Sequence, residues 1–206
     1  MIEQRSEEWL KLRMGKFTAS EIHRLMGKKG LGLTGETYIL EKVSESLGVP
    51  IPIFVTKAME YGTLTEPIAK FHYERAMKVS IKEQPFIIPD WCDQAGCSPD
   101  GVVKYRKYGI EIKCPQNPVN HIQYLLLKNQ EELKDQFPQY YWQIMMCLAV
   151  TKLKKWQFIS YHEDFQGELK MAILNVLPNQ DDIDLLKSRI LEAVEIKNKF
   201  LKQILR

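Results

Sequence analysis

A chain of 206 residues, with 45% hydrophobic and 27% charged side chains, is long enough to bury a sizeable core and too apolar to be a disordered segment. Its net charge of +3 does not by itself mark a nucleic-acid binder. No run approaches the roughly 18 uninterrupted apolar residues of a spanning helix, which excludes a helical membrane protein.

Residues 1–206 are expected to form one domain. The acidic, polar start MIEQRSEEW lacks the basic and then apolar regions of a signal peptide, so cytoplasmic placement is expected. Cys92, Cys97, Cys114 and Cys147 show no paired CxxC spacing, and reduced thiols are expected in place of a zinc or iron–sulfur site.

In chain order, Ser6 precedes EEWLKLR and Thr18 precedes ASEIHRLM, and both are residues that cap helix N-termini. GKKGLGLTG, residues 27–35, reads as a loop. ETYILEKVSESLG then reads as a helix closed by Gly48, followed by the extended VPIPIF. A helical pattern returns from Lys57 to about Lys78, with Leu64, Ile68 and Phe71 at i, i+4, i+7 as its apolar face. The middle is strand-like: SIKEQPFIIP, QAGCS, GVVKY and GIEIKC, with turns at Pro99–Asp100–Gly101 and around Tyr108–Gly109. Helices are predicted at about 118–127 and 137–150, with Pro138 suited to a first turn. Two strands, KWQFISYH and LKMAILNVL, lead to a final amphipathic helix carrying Ile183, Leu186, Ile190 and Val194 on one face. This order predicts an α/β fold, a mixed central β-sheet flanked by helices. Basic residues gather in KYRK at 104–107, KLKK at 152–155 and KNKFLKQILR at the end; each run alone reads equally well as a solvated face.

The chemistry concentrates around GIEIKC. Strand alternation puts Glu111 and Lys113 on one face and Ile110 and Ile112 on the other, and Asp100 at the turn can come beside Glu111. Magnesium needs oxygen ligands, and one or two carboxylates with water and a phosphate oxygen suffice. A lysine beside a metal-bound water can orient it and favour hydroxide. Asp100, Glu111 and Lys113 therefore suit phosphodiester hydrolysis, although a surface strand with outward charges has the same pattern. Glu66, a turn after Gly62, is either a solvated helical carboxylate or a further metal ligand. Gln143 interrupts an apolar helix and needs a partner there, either structural or in positioning the water or the lysine.

Together RSEEWLKLRMGKFTAS (5–20), EYGTLTE (60–66), CSPDG (97–101), EIKCP (111–115) and YYWQIMMCL (140–148) resemble, in order, the motifs of the phage lambda-type exonucleases, also called YqaJ-like viral recombinases, within the PD-(D/E)xK nucleases. The resemblance spans about residues 5–150 and implies a restriction-endonuclease-like core. It further implies that Asp100, Glu111 and the carbonyl of Ile112 ligate magnesium, with manganese as a substitute. Glu66 would serve a second ion, Lys113 would orient the attacking water, and Gln143 would pack beside it. Arg13, whose planar fork suits a phosphate, would form a 5′-phosphate pocket with Ser20 and Ser98; standing alone, Arg13 would read as an ion pair with Glu7 or Glu8. An apolar wedge that splits terminal base pairs would fall at Met59, for which a buried core methionine is the plainer reading. Lys28 and Lys29 would contact the DNA backbone.

The implied activity is 5′ to 3′ degradation of linear double-stranded DNA ends, releasing mononucleotides and leaving a 3′ overhang. The implied partners are DNA ends, a ring-shaped homotrimer and a single-strand annealing protein, in a bacterial host carrying a phage or prophage. An endonuclease on the same core and a catalytically inactive DNA-end-binding module are the alternatives.

Overall fold

The computed structural model describes residues 4, 6–52 and 54–206; Arg5 of the N-terminal motif and Ile53 of VPIPIF lie outside the described residues. A four-stranded sheet organises the rest. β3 (Gly101–Val103) runs antiparallel to β4 (Tyr108–Lys113), β4 parallel to β5 (Trp156–Tyr161), and β5 antiparallel to β6 (Met171–Val176). A parallel step needs a long crossover. Here α4 (Pro118–Leu125), α5 (Gln130–Gln136) and α6 (Pro138–Thr151) supply it. A separate two-residue parallel pair joins β1 (Phe17–Thr18) to β2 (Ala95–Gly96).

Each face of the sheet has its own helical layer. Ile110, Ile112, Ile159 and Tyr161 pack with Ala69 and Tyr73 of α3 (Lys57–Met77). On the other face Trp156 and Phe158 meet α6, which is buried continuously from Tyr141 to Val150 and, Gln143 apart, is apolar all round, as suits a central helix. Beyond α6 lie a 3-10 segment, Ala19–Leu25, then α2 (Gly32–Ser46) and α7 (Gln180–Ile204). Ile183, Leu186 and Ile190 of α7 are buried as the periodicity predicts, with Val194 partly so.

The structure differs from the sequence reading in several places. SIKEQPFIIP is not a strand: it makes two isolated bridges, Lys82 to Val102 and Ile87 to Cys97. Pro85 and Pro89 lack the N–H groups a continuous ladder requires. The β3–β4 turn occupies residues 104–107, with Lys107 at φ 54°, and not Tyr108–Gly109. Gly109 serves the strand instead, since a Cβ there would lie 2.2 Å from the Trp156 ring. α2 begins at Gly32, inside the segment read as a loop, and α5 was not foreseen. Ser6 caps α1 (Glu7–Arg13) by accepting the Trp9 N–H, whereas Thr18 stands at the N-cap of the 3-10 segment without a capping bond from its side chain, whose hydroxyl lies 3.4 Å from Ser20 Oγ. Leu64, Ile68 and Phe71 of α3 face outward, and Thr65, Ala69 and Tyr73 are buried. The small Ala69 lets the helix sit close to the sheet, and the Tyr73 hydroxyl finds partners in Tyr108, at 2.7 Å, and Gln157.

Candidate active site

The C-terminal end of β4 opens into a cleft of about 630 Å³. Asp100, Glu111, Ile112, Lys113, Gln143 and Glu66 all line it, as do Arg13, Ser20, Ser98 and Met59. Of the predicted site residues only Lys28 and Lys29 are elsewhere. They are exposed in the turn before α2, at a loop whose Gly30 lies near Arg189 of α7.

Antiparallel pairing of Gly101 with Ile110 sets Asp100 opposite the end of β4, where its Oδ2 accepts the Ile112 N–H at 2.7 Å. On the α6 face, Glu111 Oε1 accepts from Lys113 Nζ and from Gln143 Nε2, both at 2.7 Å. Gln143 Oε1 is a longer 3.5 Å from Lys113 Nζ. One glutamine one turn into a buried helix thus holds both charged residues of the strand. Lys113 Nζ also lies 4.8 Å from the centre of the Tyr140 ring.

The electrostatics follow from burial. Asp100 is pushed well above the usual carboxylate range by desolvation, then by the charges of Glu111 and Glu66, against the pull of Lys113 and the Ile112 N–H. Glu111 is also raised by desolvation, which outweighs Lys113. Desolvation would lower Lys113, but Glu111 and Asp100 together raise it, so it stays an ammonium at neutral pH. A permanently protonated lysine can orient water or stabilise an anion; it cannot accept a proton.

Among the described residues no three His, Cys, Asp or Glu side chains form a ready-made metal cage. The carboxylate pair nonetheless fits a hard cation. Glu111 Oε2 is buried with no hydrogen-bond partner, and Asp100 carries a raised proton affinity beside it. A cation answers both deficits, and magnesium asks for only one or two carboxylates. Glu66 is held by Lys70 Nζ at 2.9 Å. The preceding Gly62 is not needed for close approach: a Cβ there would stand 3.6 Å from the Cys114 carbonyl, an ordinary contact.

Arg13 makes no ion pair with Glu7 or Glu8 among the described residues. Its guanidinium donates to Ser98 Oγ at 3.4 Å and Ser20 Oγ at 3.3 Å, and lies 4.0 Å over the Trp9 ring. Trp9 Nε1 donates to the same Ser98 Oγ at 3.0 Å. Ser98 therefore ties this cradle to Asp100, two residues on. Met59 is 49% exposed, which rules out the buried-core reading and leaves an apolar side chain at the cleft.

Sequence reading missed Trp9, Lys70, Tyr124 and Tyr140. Trp9 and Arg13 stand at i, i+4, and Glu66 and Lys70 likewise, so both pairs carried a visible helical signal. Tyr124 of α4 and Tyr140 of α6 come together only in the tertiary fold, both against Phe158 of β5, with a 3.5 Å contact between their hydroxyls. The four cysteines are free and buried.

A family model described as the YqaJ-like viral recombinase domain matches residues 8–154. No curated protein matches the chain by sequence. Among solved structures, the alkaline exonuclease LHK-Exo of Laribacter hongkongensis, seen alone and in complex with dAMP, superposes with a TM-score of 0.83 at 25% identity. The alignment covers 97% of this chain and 96% of that one. A phage-related exonuclease of Haemophilus somnus superposes with a TM-score of 0.75 at 14% identity, over 92% of this chain and 96% of its own. The fold is the restriction-endonuclease-like fold of these exonucleases.

Proposed function

This chain belongs to the YqaJ-like viral recombinase family, and from that premise we propose that it is a magnesium-dependent exonuclease of linear double-stranded DNA. It degrades the 5′-ended strand in the 5′ to 3′ direction, releases mononucleotides and leaves a 3′ single-stranded overhang. The observation that carries this reading is the sharing of one cleft by a cationic, hydroxyl-lined cradle and a carboxylate pair, Glu111 buried with an unpartnered oxygen and Asp100 partly buried beside it. The first suits a terminal phosphate; the second would hold a divalent metal beside the next linkage, where water attacks. LHK-Exo has been solved with dAMP, a deoxynucleoside monophosphate of the product class proposed.

Asp100, Glu111 and the Ile112 carbonyl hold the ion, and Glu66 serves a second. Bound divalent metal supplies charge for the phosphoryl oxygens and lowers the pKa of water. Lys113, fixed as an ammonium, orients the attacking water. Gln143 keeps Lys113 and Glu111 in register from α6. Arg13, Ser20 and Ser98 receive the 5′-phosphate, and Met59 stands where a wedge would part the terminal base pair. No helix of the described residues is long and apolar enough to cross a membrane. The reading extends to a homotrimeric ring in the cytoplasm of a bacterial host, passing its overhang to a single-strand annealing protein.

Three duplexes test it: linear with 5′-phosphate, linear with 5′-hydroxyl, and covalently closed. With magnesium, mononucleotides should leave the first fastest and the circle should survive. A cut circle would establish an endonuclease on this fold, and binding without cleavage under any divalent metal would establish an end-binding module.

A further inference from the structure

Two of the basic runs lie far apart in the chain, separated by α4, α5 and α6, yet the fold delivers them to one place. The KYRK run is the β3–β4 turn, closed by the Lys107 N–H donating to the Lys104 carbonyl at 3.2 Å. The parallel pairing of β4 with β5 begins at Gly109 and Trp156, and the Gly109 N–H donates to the Lys155 carbonyl at 3.2 Å. The KLKK run therefore arrives beside that turn, with Lys155 Nζ 4.5 Å from the centre of the Tyr108 ring. From the outer edge Lys82, bridged to Val102, brings its ammonium against that of Lys104, and this like-charge contact lowers Lys104.

Lys82, Lys104, Arg106, Lys107 and Lys154 are exposed and Lys155 is half-buried. None of the six makes an ion pair among the described residues; in the same region only Lys152 has one, with Asp90. Such crowding of unpaired cations favours a polyanion. Tyr105, 79% exposed at the tip, adds an aromatic ring among the charges. Cations interleaved with an accessible aromatic suit a single strand, whose unpaired bases can stack; a duplex hides its base faces.

The patch lies at the N-terminal end of β4, and the carboxylate cleft lies at its C-terminal end, roughly 16 Å of strand away. We propose that this end of the sheet is a second nucleic-acid surface, which takes the single strand that degradation leaves behind. The inference rests on the reading that the cleft acts on DNA ends, although the binding chemistry of the patch stands apart from it.

The test compares K104Q/R106Q/K154Q and, separately, Y105S with the unaltered protein. Binding of a fluorescent oligo-dT of about 20 nucleotides, and of a blunt duplex of the same length, is measured without divalent metal across a salt series. The triple variant should lose about tenfold in oligo-dT affinity at about 0.1 M salt. Its log–log salt slope should flatten by about 2, three lost phosphate contacts at ~0.7 each. Y105S should lose about fivefold with the slope unchanged. Turnover of a short phosphorylated duplex should be unchanged in both variants. Unchanged oligo-dT binding in both variants would overturn the proposal, and so would an equal loss on the duplex, which would make this a duplex-backbone surface. A protein that cleaves nothing but shows these oligo-dT losses would keep the surface and discard the reading of the cleft.

Discussion

At the scale of single residues, the cleft works through groups whose charge states are set by one another. Lys113 is the clearest case, because Glu111 and Asp100 hold it protonated against a strong desolvation penalty. Lys113→Ala should reduce hydrolysis at least about a hundredfold while leaving DNA-end affinity within a few-fold, since the phosphate cradle is untouched. Single-turnover rates beside equilibrium binding would check it, and a matching loss of binding would remove Lys113 from the chemistry. Arg13 contributes a charge-assisted contact and an indole stack. Arg13→Ala should slow degradation of 5′-phosphorylated ends by about 10- to 100-fold, the worth of such a contact, down to the 5′-hydroxyl rate. Equal slowing of both substrates would contradict the pocket. Lysine at this position should not restore the rate, because a point charge cannot bridge two hydroxyls in a plane.

At the scale of elements, the packing of α6 and β5 against β4 determines whether those residues meet. Gly109 has no room for a side chain because the Trp156 ring occupies its Cβ position, 2.2 Å away. Gly109→Ala should destabilise the protein by about 1–3 kcal/mol, as overpacking does, with the denaturation midpoint falling and the slope unchanged. Urea unfolding followed by tryptophan fluorescence would measure it, and a neutral result would mean that β5 shifts freely against β4. α3 shows how an element can mislead. Its apolar stripe of Leu64, Ile68 and Phe71 has helical spacing, yet the sheet accepts the face with Ala69 and Tyr73. Periodicity reports that one face is apolar; closeness of approach and a partner for the Tyr73 hydroxyl decide which face is buried.

At the scale of the whole molecule, desolvating Asp100 beside the buried Glu111 links folding to pH and to metal. Both carboxylates are raised in the folded protein above their unfolded values. The folded state therefore holds protons more tightly than the unfolded state. The stability this contributes is full below the unfolded values and is lost as pH rises through the folded ones. Without metal, the protein should lose melting temperature between about pH 5 and about pH 8. Magnesium should restore it at the upper end, by about 2.7 kcal/mol at a hundredfold excess over its dissociation constant, and should do little at the lower end. Asp100→Asn keeps an oxygen for the Ile112 N–H and removes one buried charge. It should raise the metal-free melting temperature at about pH 8, abolish the magnesium response and abolish turnover. Thermal melts at the two pH values, with and without magnesium, decide the first two and a nuclease assay the third, and a variant still stabilised by magnesium would place the ion elsewhere.

What the amino-acid sequence determined by itself was local or strongly patterned. Alternation in GIEIKC set Glu111 and Lys113 on one face, the amphipathic period marked α7, and five short motifs in order carried the family and the carboxylate–lysine set. Those signals are legible because strand and helix periods are properties of the backbone, independent of what packs on it. Only the tertiary structure decided which carboxylate oxygen is left unpartnered, that Gln143 bridges Glu111 and Lys113, and that Ser98 joins the arginine cradle to Asp100. It also turned the stripe of α3 outward, exposed Met59 and set Lys28 and Lys29 away from the cleft. Those outcomes depend on contacts between segments remote in the chain, where close approach, burial and charge act across space. The meeting of the two basic runs at one end of the sheet has the same origin: each is an ordinary solvated segment until the parallel pairing of β4 with β5 brings them together.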